Sequence, residues 1–172
     1  HKGAVQYIWQ QLMQKGYLYK GVYEGWYCQG CENFVTDKEA TENNGSCPDH
    51  QAPYQRLSEE NYYFKTSAFS DKIREVIETG RMKIVPEFRK NEFLELIKDG
   101  LQDVSVSRPR KNLSWGVSVP GDDTQVMYVW LDALSNYITV LGYPDNPAWQ
   151  EYWPADLQVI GKDILRFHAG IW

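Results

Sequence analysis

Cysteine is scarce in this 172-residue chain. There are three, Cys28, Cys31 and Cys47, and all fall in the stretch CQGCENFVTDKEATENNGSCPDH, residues 28–50. Three thiols cannot all pair with one another, so a disulfide scaffold leaves one over. Long apolar runs are lacking too: none approaches the roughly 20 residues that cross a bilayer, and no secretory or transit signal is visible. Nor is there an excess of positive charge. Against 23 acidic residues stand 18 basic ones, for a net charge of -5, which weighs against a segment that grips nucleic acid by itself. Internal repeats and low-complexity tracts are missing as well, and the chain begins with His rather than Met, so sequence is expected upstream. Aromatic residues, by contrast, are plentiful at 15%, with seven Trp and twelve Tyr; such side chains line pockets as well as fill cores. Length and composition suit one domain or two small ones with a real core.

Periodicity places the elements. Val5, Ile8, Trp9 and Leu12 form the stripe of a core-facing helix that stops at Gly16. YLYKGVYEGWY alternates loosely and reads as strand, and Asn43, Asn44, Gly45 and Ser46 read as a turn. SEENYYFKTSAFSDKIREVIETG reads as a helix with Phe69, Ile73, Val76 and Ile77 on one face, closed by Gly80. Pro86 opens the next helix, which stops at Gly100. DVSVSR and SWGVSVPGDD alternate as strands, with a turn at Pro120–Asp123. VMYVW reads as a buried strand leading into LDALSNYITVLG, and LQVIG as a second leading into KDILRFHAGIW. Strands that feed straight into helices suggest a parallel α/β architecture.

The cysteine stretch reads C-x2-C, fifteen residues, C-x2-H, with His50 as the last member. Each such knuckle points two soft ligands at one ion, and two knuckles complete a tetrahedron, so zinc on Cys28, Cys31, Cys47 and His50 is expected. Three ordinary thiols beside a stray histidine would make both knuckles an accident. Four protein ligands leave no open position for water, which makes the site structural and counts against a zinc hydrolase. The polar loop between them could not build a core unaided and needs such a staple.

Chemistry is better sought near the C-terminus. If the strand ends near Trp130, that residue stands at the carboxyl edge of the sheet, where open α/β sheets bind ligands. Trp130, Ala133, Leu134 and Tyr137 would then share a side that is either an apolar slot or simple core packing. Gly161 permits a tight turn, followed by Lys162 and Asp163, with His168 beyond. Asp163 suits a ligand ammonium and equally suits a helix N-cap; His168 could be a ligand-facing group or a satisfied packing partner. The loop with Arg108, Arg110 and Lys111 is either a solvated face or a phosphate contact.

Taken together, GYLYKGVYEGWYCQGCENF, CPDH, RLSEENYYFK, SVSRPRKNLSWGVSVPGD, VWLDALSNYIT and VIGKDILRFHAGIW, in this order, resemble the bacterial-type methionyl-tRNA synthetases over essentially the whole chain. The resemblance implies part of a class I Rossmann catalytic domain carrying an inserted connective peptide with a zinc knuckle. It implies that residues 1–104 are the connective peptide and its leading helix, with the knuckle at about 26–55, and that residues 105–172 begin the second Rossmann half. It implies a methionine site at Trp130, Ala133, Tyr137, Asp163, Ile164 and His168, with Asp163 on the α-ammonium. Gly161 and Arg108 would approach ATP, at its adenosine and its phosphates. The implied reaction joins methionine to the ATP α-phosphate, with Mg accompanying the nucleotide, and then passes methionine to its tRNA; positioning and charge drive it, and no residue is assigned as catalytic. The HIGH-type motif and KMSKS-type loop of that family lie outside these 172 residues, so this chain alone is expected to be inactive. A cytoplasmic setting is expected from cysteine usage and the missing signals. The rival reading is a stand-alone zinc-ribbon module binding nucleic acid, which the net charge disfavours; another is an inert structural fragment.

Overall fold

The computed structural model describes residues 1–28, 30 and 33–172, with the side chains of Tyr23, Asn33 and Phe34 left aside. The chain forms two compact units: residues 1–19 with 62–172, and residues 20–61. The second of these, called the knuckle unit below, contains the described members of the cysteine stretch.

In the larger unit, helix α1 (Lys2–Gln14) buries Val5 and Trp9 and ends where Gly16 takes φ +72. β1 (Leu18–Cys28) carries the chain into the knuckle unit, which holds β2 (Asn33–Val35) and α2 (Asp37–Glu42), and β3 (Gln55–Phe64) carries it back. β1 to β3 and β4 (Val104–Ser105) form one sheet in the order β2-β1-β3-β4. Between β3 and β4 come a 3-10 turn (Thr66–Phe69) and helices α3 (Ser70–Glu78) and α4 (Glu87–Leu96). Ile77, Ile84, Phe93, Ile97 and Ala169 form one buried cluster there. β5 (Ser107–Pro109), β6 (Ser118–Val119) and β7 (Asp122–Met127) make an antiparallel sheet in the order β5-β7-β6. Helix α5 (Val129–Thr139) follows at once, then the one-turn α6 (Trp149–Tyr152), a 3-10 turn (Lys162–Ile164) and α7 (Leu165–Gly170). The main core joins Val5 and Trp9 of α1 to Leu18, Phe64, Val106, Val117, Val119, Met127 and Leu131.

The expected mixture of helices and strands is present, with three corrections. Residues 58–64, expected at the head of a helix, are the last seven of the ten residues of β3. Their burial alternates strand-wise, with Glu59 and Asn61 inward, and Phe64 and Tyr63 pair with Val104 and Ser105. The helix proper starts at Ser70. A polar inward face hid the period of two, while Tyr62, Tyr63 and Phe64 supply the strand preference. Second, LQVIG is not a buried strand: it has no ladder among the described residues, and Leu157 and Val159 are 78% and 89% exposed. The parallel pairing expected of it does not form among the described residues, and β1 with β2, β3 with β4, and β5 and β6 with β7 all pair antiparallel. Third, Trp130 lies in the first turn of α5 rather than on a strand edge. Tyr128, the N-cap of α5, keeps extended geometry and donates its N–H to the Val106 carbonyl at 2.7 Å, and the helix begins at the next residue, Val129. Among the described residues no helix is long and apolar enough to cross a membrane.

Candidate functional site

Two places hold the residues singled out by sequence, one in each unit. In the knuckle unit, β1 delivers Cys28 at its last position. Cys47 sits on a tight loop: its N–H donates to the Ala52 carbonyl at 2.9 Å, and the Gln51 N–H returns to the Cys47 carbonyl at 2.8 Å. That closure swings His50 back over the thiols. Its Nδ1 lies 3.5 Å from Cys47 Sγ and 3.9 Å from Cys28 Sγ, and all three ligand atoms fall within 4.8 Å of one another. A tetrahedral zinc with ordinary Zn–S and Zn–N bonds separates such ligands by about 3.6 Å, so the donor set fits that ion. Cys31 lies outside the described residues.

Two features of this site were not singled out beforehand. Gly30 lies so close to His50 that a Cβ there would stand 2.5 Å from the ring, so only glycine lets the imidazole seat itself; its place directly before Cys31 was the available signal. Thr36 and Glu39 form a capping box, with Thr36 N–H on the Glu39 carboxylate at 2.8 Å and Glu39 N–H on the Thr36 hydroxyl at 3.2 Å. The Thr36 hydroxyl also donates to the Glu39 carboxylate at 2.9 Å, and the bonds from the Thr36 backbone and then its side chain hold that carboxyl below its usual range. The T-x-x-E spacing announces that cap. It starts α2, which buries Ala40 with Cys28, Cys47 and Tyr54. Residues 20–61 hold eight acidic side chains against three basic ones, so the chain's whole net charge of -5 resides there, the opposite of what a nucleic-acid grip requires.

In the larger unit, α5 presents three faces. Leu131, Leu134 and Ser135 are buried, and Leu134, expected on the slot side, belongs to this inward face. Trp130, Ala133 and Tyr137 share a second face, and Asp132 and Thr139 a third. The second face meets α7. Trp130 stacks on Phe167 with centroids 3.6 Å apart and planes at 10°, and the Arg166 guanidinium lies 4.6 Å from the Phe167 ring centre. Tyr137 Oη is 2.9 Å from His168 Nε2, while His168 Nδ1 is 2.9 Å from the Ile164 carbonyl. A carbonyl only accepts, so Nδ1 carries a proton; in the uncharged ring Nε2 then accepts from the tyrosine hydroxyl. Trp172 and Trp153 extend the aromatic group beyond Tyr137. Phe167 and the two tryptophans were missed, though Phe167 adjoins His168 on α7 and was there to read.

Asp163 is exposed in the middle of the 3-10 turn. It is not a cap, since the cap positions of that turn and of α7 are Gly161 and Ile164. Gly161 is exposed with φ -66, a conformation open to any residue. Thus Trp130, Tyr137, Ile164 and His168 are brought together, Ala133 shares their helix face, and Asp163 and Gly161 adjoin them along the chain. Arg108 stands apart on β5: its Nη1 donates to the Ser105 hydroxyl and the Ser107 carbonyl at 2.7 and 2.8 Å, and its guanidinium lies 3.8 Å from the Tyr128 ring centre.

The sequence matches the family model for tRNA synthetases class I (M) over residues 1–58 and 50–172. A methionine–tRNA ligase of Caldanaerobacter subterraneus subsp. tengcongensis is 47% identical across the whole chain, which spans 27% of that relative. One from Streptomyces coelicolor is 46% identical, again across the whole chain and 33% of the relative. The fold superposes on the crystal structure of Mycobacterium tuberculosis methionyl-tRNA synthetase bound by methionyl-adenylate with a TM-score of 0.85 and 39% identity, covering all of this chain and 34% of that one. The chain therefore spans about a quarter to a third of the proteins it resembles.

Proposed function

Because the chain belongs to the tRNA synthetases class I (M), we propose that it is a segment of a methionine–tRNA ligase, supplying one wall of the methionine site and a metal-stapled insert. The full-length enzyme activates methionine with ATP and charges the methionine tRNA. The observation that carries this reading is the Tyr137–His168–Ile164 hydrogen-bond chain beside the Trp130–Phe167 stack. It makes a largely apolar, aromatic wall in which the tyrosine hydroxyl and both imidazole nitrogens are already committed, which suits an unbranched thioether and offers little to a polar side chain.

On this reading Trp130, Ala133, Tyr137, Ile164 and His168 line the side-chain slot. Asp163, solvent-facing and not spent as a cap, accepts hydrogen bonds from the substrate ammonium. Its charge turns the amino acid so that the carboxylate meets the α-phosphorus of ATP. A carboxylate oxygen bonds to that phosphorus and the bond to the bridging oxygen breaks, giving methionyl-adenylate and pyrophosphate with its Mg. A hydroxyl of the terminal tRNA adenosine then attacks the methionyl carbonyl and AMP leaves. Gly161 keeps the adenosine approach free of a side chain, and the N–H groups of Arg108 beyond Nη1 face the phosphates. Residues 1–104 act as the connective peptide with its leading helix and the knuckle at 26–55, and residues 105–172 as the beginning of the second Rossmann half.

Zinc held by Cys28, Cys31, Cys47 and His50 supplies a cross-link rather than reactivity. In zinc-finger peptides such ions contribute on the order of 10–16 kcal/mol of apparent binding energy to folding. A cytoplasmic setting suits this reading, because a reducing compartment keeps cysteines as thiolate ligands rather than disulfides. The test is amino-acid-dependent ATP–pyrophosphate exchange by the full-length enzyme. Methionine should support exchange and leucine or isoleucine should not; exchange indifferent to the amino acid, or none, would remove the reading.

A further inference from the structure

His1 makes two hydrogen bonds to α5: Nε2 is 2.7 Å from Asp132 Oδ1 and Nδ1 is 2.7 Å from Thr139 Oγ1. Asp132 and Thr139 are seven positions apart, two turns along one face of the helix. In the uncharged ring Nε2 donates to the carboxylate and Nδ1 accepts from the threonine hydroxyl, so one imidazole spans both turns. The His1 side chain is 39% exposed, but the backbone that carries it is anchored. The His1 carbonyl accepts the Val5 N–H at 2.9 Å, and Val5 and Trp9 of the same helix are 0% and 1% exposed in the core that also holds Leu131 of α5.

We propose that His1 is a positioning residue for the methionine wall: by bracketing Asp132 and Thr139 it fixes the roll of α5, and with it the places of Trp130, Ala133 and Tyr137. The inference rests on the assignment of those three residues to the methionine slot. The core holds the face with Leu131, Leu134 and Ser135, and hydrophobic packing resists separation of the helices better than it resists a small roll about the helix axis. Directional hydrogen bonds on a second face supply what packing lacks. With side chains reaching about 5–6 Å from the axis, a roll of about 10° moves a side-chain tip by about 1 Å. A displacement of that size far from the reacting atoms can cost about a hundredfold in rate. Asp132 also needs the contact for its own sake: burial raises its carboxyl above the ordinary range, and without His1 a partly buried carboxylate loses its hydrogen-bond donor.

The experiment is pyrophosphate exchange by the full-length enzyme with His1→Ala, His1→Gln and Thr139→Val, alongside melting temperatures. His1→Ala should raise the KM for methionine about tenfold or more while the KM for ATP stays within twofold. His1→Gln should recover much of the loss, because one amide can donate to Asp132 and accept from Thr139. Thr139→Val removes a single prong and should raise the methionine KM about threefold with the fold intact. A methionine KM unchanged in His1→Ala overturns the inference. If His1→Ala merely unfolds the enzyme, Thr139→Val decides, and an unchanged methionine KM there overturns it equally. A wild-type enzyme showing no methionine-dependent exchange overturns the underlying assignment, a result recognisable because it appears before any substitution is made.

Discussion

The hydroxyl of Tyr137 and Nε2 of His168 stand 2.9 Å apart across 31 positions of sequence, and the opposite nitrogen of the same ring is tied to Ile164 at 2.9 Å. One hydrogen-bond chain thus fixes both the rotamer of a tyrosine on α5 and the tautomer of a histidine on α7. Tyr137→Phe leaves the ring stack and removes the hydroxyl. His168 Nε2 then has no donor, at a cost of about 1–3 kcal/mol for a buried group. The full-length enzyme should show a methionine KM raised roughly five- to fiftyfold with the ATP KM little changed. Steady-state exchange at varied methionine and ATP checks this.

Removing the metal should unfold the knuckle unit selectively. Among the described residues its buried apolar cluster is Cys28, Ala40, Cys47 and Tyr54, with Trp26 and Val35 packed alongside, and two of those four are ligand candidates. After treatment with a strong chelator, amide hydrogen exchange should speed up in peptides covering residues 33–56. Peptides from α1 and α5 should keep their protection, since their core is built from other residues.

Gly30→Ala puts a Cβ 2.5 Å from the His50 ring, and the ring cannot yield without leaving the thiols. Disturbing the support of a metal ligand commonly costs 10–100-fold in affinity. Competition against a chromogenic zinc chelator should show a loss in that range, while a Gly3→Ala control, with nothing within 4 Å of its Cβ, should bind as the parent does.

Acid and alkali should act on one small network. Burial and then the hydrogen bond to Asp103 push the Tyr19 hydroxyl up from 10.0 to about 12. Burial also works to raise Asp103, but the Ser67 hydroxyl and N–H, at 2.6 and 3.1 Å, outweigh it and hold the carboxyl below 3.8. The tyrosine is raised in the fold, so its contribution is whole below pH 10 and fades as pH climbs from 10 toward 12. The aspartate is lowered, so its contribution is present above pH 3.8 and fades as pH falls through its folded value. Tyr19 is 36% exposed, and solvent mutes the size of both effects. Asp103→Asn should flatten both arms of a melting-temperature profile measured from pH 2 to 5 and from pH 9 to 12.

Sequence showed the grouping of Cys28, Cys47 and His50 and the leading helix because each depends on local spacing. The period of 3.6 survives in α1, whose one side meets the core, and C-x2-H lies on a tight loop closed by Cys47 with Gln51 and Ala52. It failed where the structure depends on distant partners. β3 turns Glu59 and Asn61 inward, a polar alternation that only pairing with other strands can favour. LQVIG has the composition of a strand, but composition cannot provide a neighbour to pair with. The bracket from His1 to Asp132 and Thr139 spans more than 130 positions, beyond the reach of any pattern in one sequence. Asp163 lay between these cases: the cap positions Gly161 and Ile164 remove its use as a cap, and its use as an anchor is the proposal under test.

That residue gives the most direct test. Methionine-dependent ATP–pyrophosphate exchange should be measured on the full-length enzyme with Asp163 intact and with Asp163→Ala, both confirmed to be folded and to carry one zinc. An ammonium anchor removed from a positioned substrate should lower kcat/KM for methionine at least a hundredfold, on the order of 3 kcal/mol for a charge-assisted contact, with the melting temperature unchanged. Exchange at the parent rate in Asp163→Ala would show that the ammonium is held elsewhere, and the methionine site assigned to α5 and α7 would have to be given up.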